Sequence, residues 1–161
     1  MAPAQVERAQ QHMQKLASGE GIRLKYGGKT GNSKASHQLL ELAKRKSLKM
    51  QWDVAQEIFR LHFEEDGDIT DVQMLVSAGV NCGLDEEEVK RWLQDEDAAT
   101  IVDKEVAEVR AMAVNGVPRF LIQGGKHQVE GAGDLEDFFE IFMKVKEDES
   151  SSSVTKGSNS C

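Results

Sequence analysis

The sequence predicts an α/β chain that is mostly helical, with one pair of strands towards its C-terminal end. Three observations lead there. Apolar residues recur with helical spacing in segment after segment from Val6 onward. Only two short runs, "PRFLIQ" and "HQVEG", have strand character, and Gly124-Gly125 between them reads as the primed turn of a hairpin. With 39% hydrophobic and 30% charged residues over 161 positions, the composition is that of one globular domain whose core needs no metal or disulfide.

Taken in order, Val6, Ala9, Met13 and Leu16 form one narrow helical face. The stretch "SGEGIRLKYGGKTGN" then interrupts with five glycines, leaving room for a short extended piece around Ile22 to Tyr26. A helix starts near Asn32 or Ser33, both good N-caps, and carries Leu39, Leu40 and Ala43 inward. After "KSLK", the spacing of Trp52, Ala55 and Phe59, with Ile58 and Phe63 flanking, marks an amphipathic helix that ends at "EEDGDITD". A short helix from Thr70 or Asp71 stops near Gly79. In "LDEEEVKRWL", Asp85 and Glu88 are spaced as a capping box, with Val89, Trp92 and Leu93 inward. The next helix, from about Ala99, uses Val102, Val106, Val109 and Ala113, and Gly116 stands where a helix-ending glycine belongs. After the hairpin, Asp134 caps a last helix through Leu135, Phe138, Phe139, Phe142 and Val145. Residues 146–161, "KEDESSSSVTKGSNSC", have the charged, low-complexity composition of a disordered tail.

The hairpin raises a difficulty. Two strands alone are marginal in water, yet Phe120, Leu121 and Ile122 form a continuous apolar run. Such a run predicts a strand covered on both faces, with a neighbour at its side. Pro118 just ahead of it either starts the strand as an ordinary trans residue or introduces a cis bond.

Charge and cysteine content narrow the function classes. A net charge of −8 argues against nucleic acid or an anionic membrane as partner, because phosphate binding needs a basic face. The one basic run, "KRKSLKM", falls at a helix end, where cations suit the dipole. No apolar run approaches the ~20 residues that span a bilayer, and the N-terminal "MAPAQVERAQQHMQ" has no apolar core to act as a secretory signal. Two cysteines, Cys82 and Cys161, imply no disulfide framework and point to a reducing, cytoplasmic setting. Cys82 precedes an acidic run that raises a thiol pKa, the wrong direction for a nucleophile, so it reads as a small half-buried filler. His12, His37, His62 and His127 show no zinc-ligand spacing, and "EEDGDITD" lacks the sixth-position glycine and twelfth-position glutamate of a calcium loop. "GGKTGN" and "GVNCGL" lack the strand and signature of a phosphate loop. No metal and no cofactor are expected.

Four collinear segments carry a resemblance. "GVPRFLI", the Gly-Gly hairpin, "VEGAG" and the closing helix resemble the C-terminal half of a thioredoxin fold. The helical stretch before them is similar to the insertion of DsbA-type proteins, specifically the FrnE-like branch. "GNSKASHQLLELA" resembles that branch's Asn-Thr-x-x-Ala-His-Arg-Leu segment, with Asn32, Ser33, Ser36, His37, Gln38 and Leu39 at those positions. "DITDVQMLVSAGVNCGLDEEEV" is similar to its next insertion helices. The resemblance covers Val6 to Val145. It implies a thioredoxin-like α/β domain over 1–145, with a helical insertion over about 32–98 and without the first β-α-β unit.

The resemblance also implies a site. In that family a Val-Pro pair with a cis bond lies against a redox Cys-x-x-Cys, a role that falls here on Val117 and Pro118, with Asn32 and His37 bordering the groove. From the residues alone, Asn32 is equally a helix N-cap and His37 a polar helix residue. Gly131, Ala132 and Gly133 resemble the corner at which glutathione-binding relatives hold a carboxylate on backbone N–H groups, although Asp134 would repel an anion and the branch usually has Gly-Ala-Gln there. No Cys-x-x-Cys occurs in the chain, so it lacks the low-pKa thiolate of disulfide exchange, and no residue qualifies as catalytic. The expectation is an N-terminally truncated thiol–disulfide oxidoreductase relative, inactive alone, with a peptide or small thiol as the family substrate. A non-catalytic module pairing with a protein partner or with itself through the strand edge is the alternative, and a glutathione-linked transferase or isomerase is a third reading.

Overall fold

In the computed structural model, which describes residues 3–112, 114 and 116–155, the chain divides into two units, one up to Ala107 and one from Glu108. The first unit holds α1 (Pro3–Gly19), α2 (Lys34–Lys46), α3 (Leu48–Glu64), α4 (Val72–Asn81), α5 (Glu86–Leu93) and most of α6 (Glu96–Ala111). Its core lies among α2 to α5: Leu39, Leu42 and Ala43 meet Val54, Ile58, Leu75, Val76, Ala78, Leu84 and Val89. Each large side chain here contributes about 1.5–3 kcal/mol by leaving water.

Short polar residues set where these helices begin. Ser47 Oγ accepts from the Met50 N–H at 3.0 Å, Asp71 from Gln73 at 2.9 Å and Asp85 from Glu88 at 2.8 Å. Only half of the predicted capping box forms, because the Glu88 carboxylate goes to Lys46 instead, at 2.7 Å. α4 ends in a Schellman pair, with Leu84 N–H on Gly79 O at 3.0 Å and Gly83 N–H on Val80 O at 2.9 Å. Gly83 supplies the φ of +94° this requires. Gly79 serves differently: a Cβ there would stand 3.1 Å from Val89 and 3.3 Å from Leu39, so its absence lets α4 approach both neighbours.

Four expectations about elements are corrected. The buried stripe of α3 is Val54 and Ile58, whereas Trp52 and Phe59 are 65% and 54% exposed; α3 carries two apolar faces, and the less aromatic one meets the core. α6 begins at Glu96 rather than Ala99, because Asp95 accepts from the N–H groups of Asp97 and Ala98. It ends at Ala111, where Met112 N–H tightens onto Val109 O, so Gly116 is not its C′ residue; Ala113 lies outside the described residues. The last helix, α7 (Leu135–Thr155), runs through the segment expected to be disordered as far as Thr155, since no Gly or Pro stops it before Gly157; residues 156–161 lie outside the described residues. Among the described residues, Ile22 to Lys25 pair with no strand and are held by single bonds such as Lys25 N–H to Phe63 O at 2.7 Å.

The second unit holds the hairpin, β1 (Arg119–Ile122) and β2 (His127–Glu130), with α7. The strands pair antiparallel, Arg119 with Glu130, Phe120 with Val129, Leu121 with Gln128 and Ile122 with His127. Gly124 and Gly125, at φ +67° and +92°, take the positive φ that the sequence predicts for them, within a four-residue connection in which Gln123 is also positive, at +51°. Phe120 meets Phe138 of α7 edge-on, ring centroids 4.9 Å apart, and Val129 is buried beside them. Gly133 passes so close that a Cβ would lie 2.9 Å from Val129. Among the described residues, no helix is long and apolar enough to cross a membrane.

Candidate functional site

Hydrogen-bond alternation determines what β1 offers. Gly131 N–H donates to Pro118 O at 2.8 Å, so Pro118, Phe120 and Ile122 turn their backbone polar groups toward β2. Arg119 and Leu121 therefore present N–H and C=O at the outer edge, where no strand pairs among the described residues. Phe120 and Leu121 stay 39% and 44% exposed, so the neighbour that their apolar run predicts is not supplied there. Val117, just ahead of this edge, is 89% exposed, and its peptide bond to Pro118 is cis.

A cleft of about 360 Å³ opens at this point, lined by Gly116, Val117, Arg119, Glu130 and Gly131. Arg119 was not foreseen as part of it. Its guanidinium donates to Met112 O and to the Gln128 side chain and lies 3.9 Å from Glu130, while its Nε is buried without a partner among the described residues. The alternation of a short strand was the available signal: Arg119 follows the proline by one residue and must share a face with Gln128 and Glu130.

Of the other site residues predicted from sequence, Gly131 lines this same cleft. Asn32 and His37 belong to the first unit. Asn32 Oδ1 accepts from Lys34 N–H at 3.0 Å, an Asx turn opening α2, and His37 is exposed on that helix. At the glycine corner, Gly131 N–H is already given to Pro118 and Asp134 N–H to the Asp137 carboxylate at 3.1 Å, which leaves fewer donors for an anion. Cys82 is half-buried at the end of α4, its thiol pushed up by burial first and then by Glu57 and Asp53. Cys161 lies outside the described residues. The aspartates of "EEDGDITD" are used structurally: Asp68 accepts from Thr70 and Asp71 from Gln73 in local turns, while Asp66 accepts from Gly27 N–H and ties this loop to the one before α2. The basic run at the end of α2 is spent internally, Lys44 and Arg45 on Glu41 and Lys46 on Glu88.

A family model described as a DSBA-like thioredoxin domain matches residues 1–142. The chain belongs to that family. Among solved structures, the DSBA-like chain is similar to the crystal structure of a probable DsbA oxidoreductase from Streptomyces coelicolor, with a TM-score of 0.74 and 27% identity. The match covers 89% of this chain and 62% of that one, so the DSBA-like chain spans under two thirds of its structural neighbour. No curated protein matched. The mostly helical architecture with its small sheet is thus a DsbA-like thioredoxin fold.

Proposed function

We propose that this chain is a FrnE-like member of the family that carries the substrate-facing strand of a thiol–disulfide oxidoreductase, and that it is inactive in disulfide exchange alone. A peptide or small thiol lies along the outer edge of β1, pairing with the backbone of Arg119 and Leu121 beside Val117. The observation that supports this is the open edge itself: unpaired backbone groups next to a fully exposed valine form a site for strand addition. Inactivity rests on chemistry. The 161 residues contain no Cys-x-x-Cys, and the Cys82 thiol is shifted away from the thiolate that exchange requires. Cys82 is a free thiol among the described residues, and a reducing, cytoplasmic setting is part of the proposal.

The purified chain should give no turnover in an insulin-reduction assay with dithiothreitol, and an extended cysteine-containing peptide should shift the amide resonances of residues 117–122. Turnover above the dithiothreitol background would refute the inactivity; peptide shifts confined to other residues would refute the edge. The same edge supports a second reading, a non-catalytic module that pairs with a protein partner or a second copy, and recovery of a stoichiometric partner would favour it. The glutathione-linked reading has less support, because the Gly131 N–H of that corner, and the Asp134 N–H next to it, are already engaged.

A further inference from the structure

A cleft of about 570 Å³ runs along the outer face of α3, away from the core, in the size range of small-molecule sites. Phe59 and Phe63 of α3, Ile22 and Leu24 of the loop between α1 and α2, and Asn81 and Cys82 at the end of α4 line it. The loop is fixed in place: Lys25 N–H donates to Phe63 O at 2.7 Å, Arg23 N–H to the Glu64 carboxylate at 3.2 Å, and Gln14 to Leu24 O at 3.0 Å. The cleft is therefore built by the fold before any ligand arrives.

Its polar lining is unbalanced. Asp53, Glu57 and Glu64 face one cation, Arg60. Glu57 accepts two N–H groups of Arg60 and one of Asn81 at 2.8 Å, and a third N–H of Arg60 goes to Glu65. With two carboxylates already on it, the Arg60 guanidinium offers an anion little uncompensated charge. Among the described residues the cation opposite Glu64, besides the Arg23 N–H it accepts, is the Arg23 guanidinium, 4.0 Å away on a side chain that is 90% exposed. So exposed a partner holds its carboxylate weakly and can be exchanged for another cation at little cost. The Phe59 and Phe63 rings, centroids 6.0 Å apart, stand five residues and one residue before Glu64 and offer π faces that also favour a cation.

We propose that this cleft binds an amphipathic organic amine, with its apolar body on Leu24, Phe59 and Phe63 and its ammonium against Glu64. The test titrates the full chain with three probes of equal length, octylamine, octan-1-ol and octanoate, and follows amide resonances. Octylamine should saturate with shifts concentrated at residues 22–25, 59–64 and 81–82, bind about fivefold more tightly than octan-1-ol, and leave octanoate weakest. Glu64→Gln should bring octylamine to the level of octan-1-ol, and Phe59→Ala, at an exposed position, should weaken all three. Octan-1-ol or octanoate binding as tightly as octylamine to the native chain would overturn the proposal, as would shifts scattered away from the cleft, whatever the variants do.

Discussion

At the scale of single residues, Glu57 shows how environment separates one surface carboxylate from another. Its side chain is 16% exposed and accepts two N–H groups from Arg60, at 2.7 and 2.8 Å, besides one from Asn81. Arg60 is the main cause that holds the Glu57 carboxyl below its ordinary value, against the opposing effect of burial. The folded-state value being the lower one, the stabilisation is complete above the unfolded value, about 4.3, and is lost as pH falls through the folded value. Glu57→Gln cannot ionise and has no such loss. The stability gap between native chain and variant, from urea melts, should therefore be widest at neutral pH and shrink as pH falls to about 3. A gap independent of pH would show that the ion pair contributes nothing.

At the scale of elements, the sequence revealed starts better than faces. Helix starts at Asp71 and Asp85 were legible, since a short polar side chain ahead of an apolar period has one local physical meaning, whereas α3 starts at the Ser47 cap, ahead of the "KSLK" boundary expected. The hairpin turn was legible for the same reason: two glycines tolerate the positive φ it demands. The core-facing side of α3 was not legible, because Trp52, Phe59 and Phe63 outweigh Val54 and Ile58 in any count of apolar spacing, and only packing decides between two such stripes. Val117 and Pro118 were reached through a resemblance, whereas Arg119 needed the register. That register makes a sharp prediction. Leu121 N–H points to the outer edge, so Leu121→Pro removes an outward donor and leaves the bonds of Phe120 and Ile122 to β2 in place. Peptide-induced shifts at residues 117–122 should vanish while the Phe120 to Ile122 cross-strand signals persist; undiminished peptide binding would place the contact elsewhere.

At the scale of the whole molecule, the two units differ in what they bury. The first has ten buried apolar residues in one cluster across four helices, Leu39, Leu75, Val54 and Val89 among them essentially without exposure. In the second, Val129 is the one apolar side chain that is buried among the described residues, and Leu135, Phe139 and Phe142 of α7 are 86%, 64% and 56% exposed. A two-stranded hairpin with one helix on one face approaches the lower limit of independent stability. Opening free energies within one chain range from near zero to the global value and follow the density of buried contacts. Native-state hydrogen exchange should accordingly find the amides of α2 to α5 protected by global unfolding, and those of β1, β2 and α7 exchanging through a separate opening at least about a hundredfold more often. Addition of an edge-binding peptide should raise protection in the hairpin and in α7, which share that opening, and not in α2 to α5, since only the state with an ordered β1 can pair with it. Equal protection across both units, or peptide-induced protection spread evenly over α2 to α5, would mean that the hairpin and α7 draw their order from something other than the few contacts they bury.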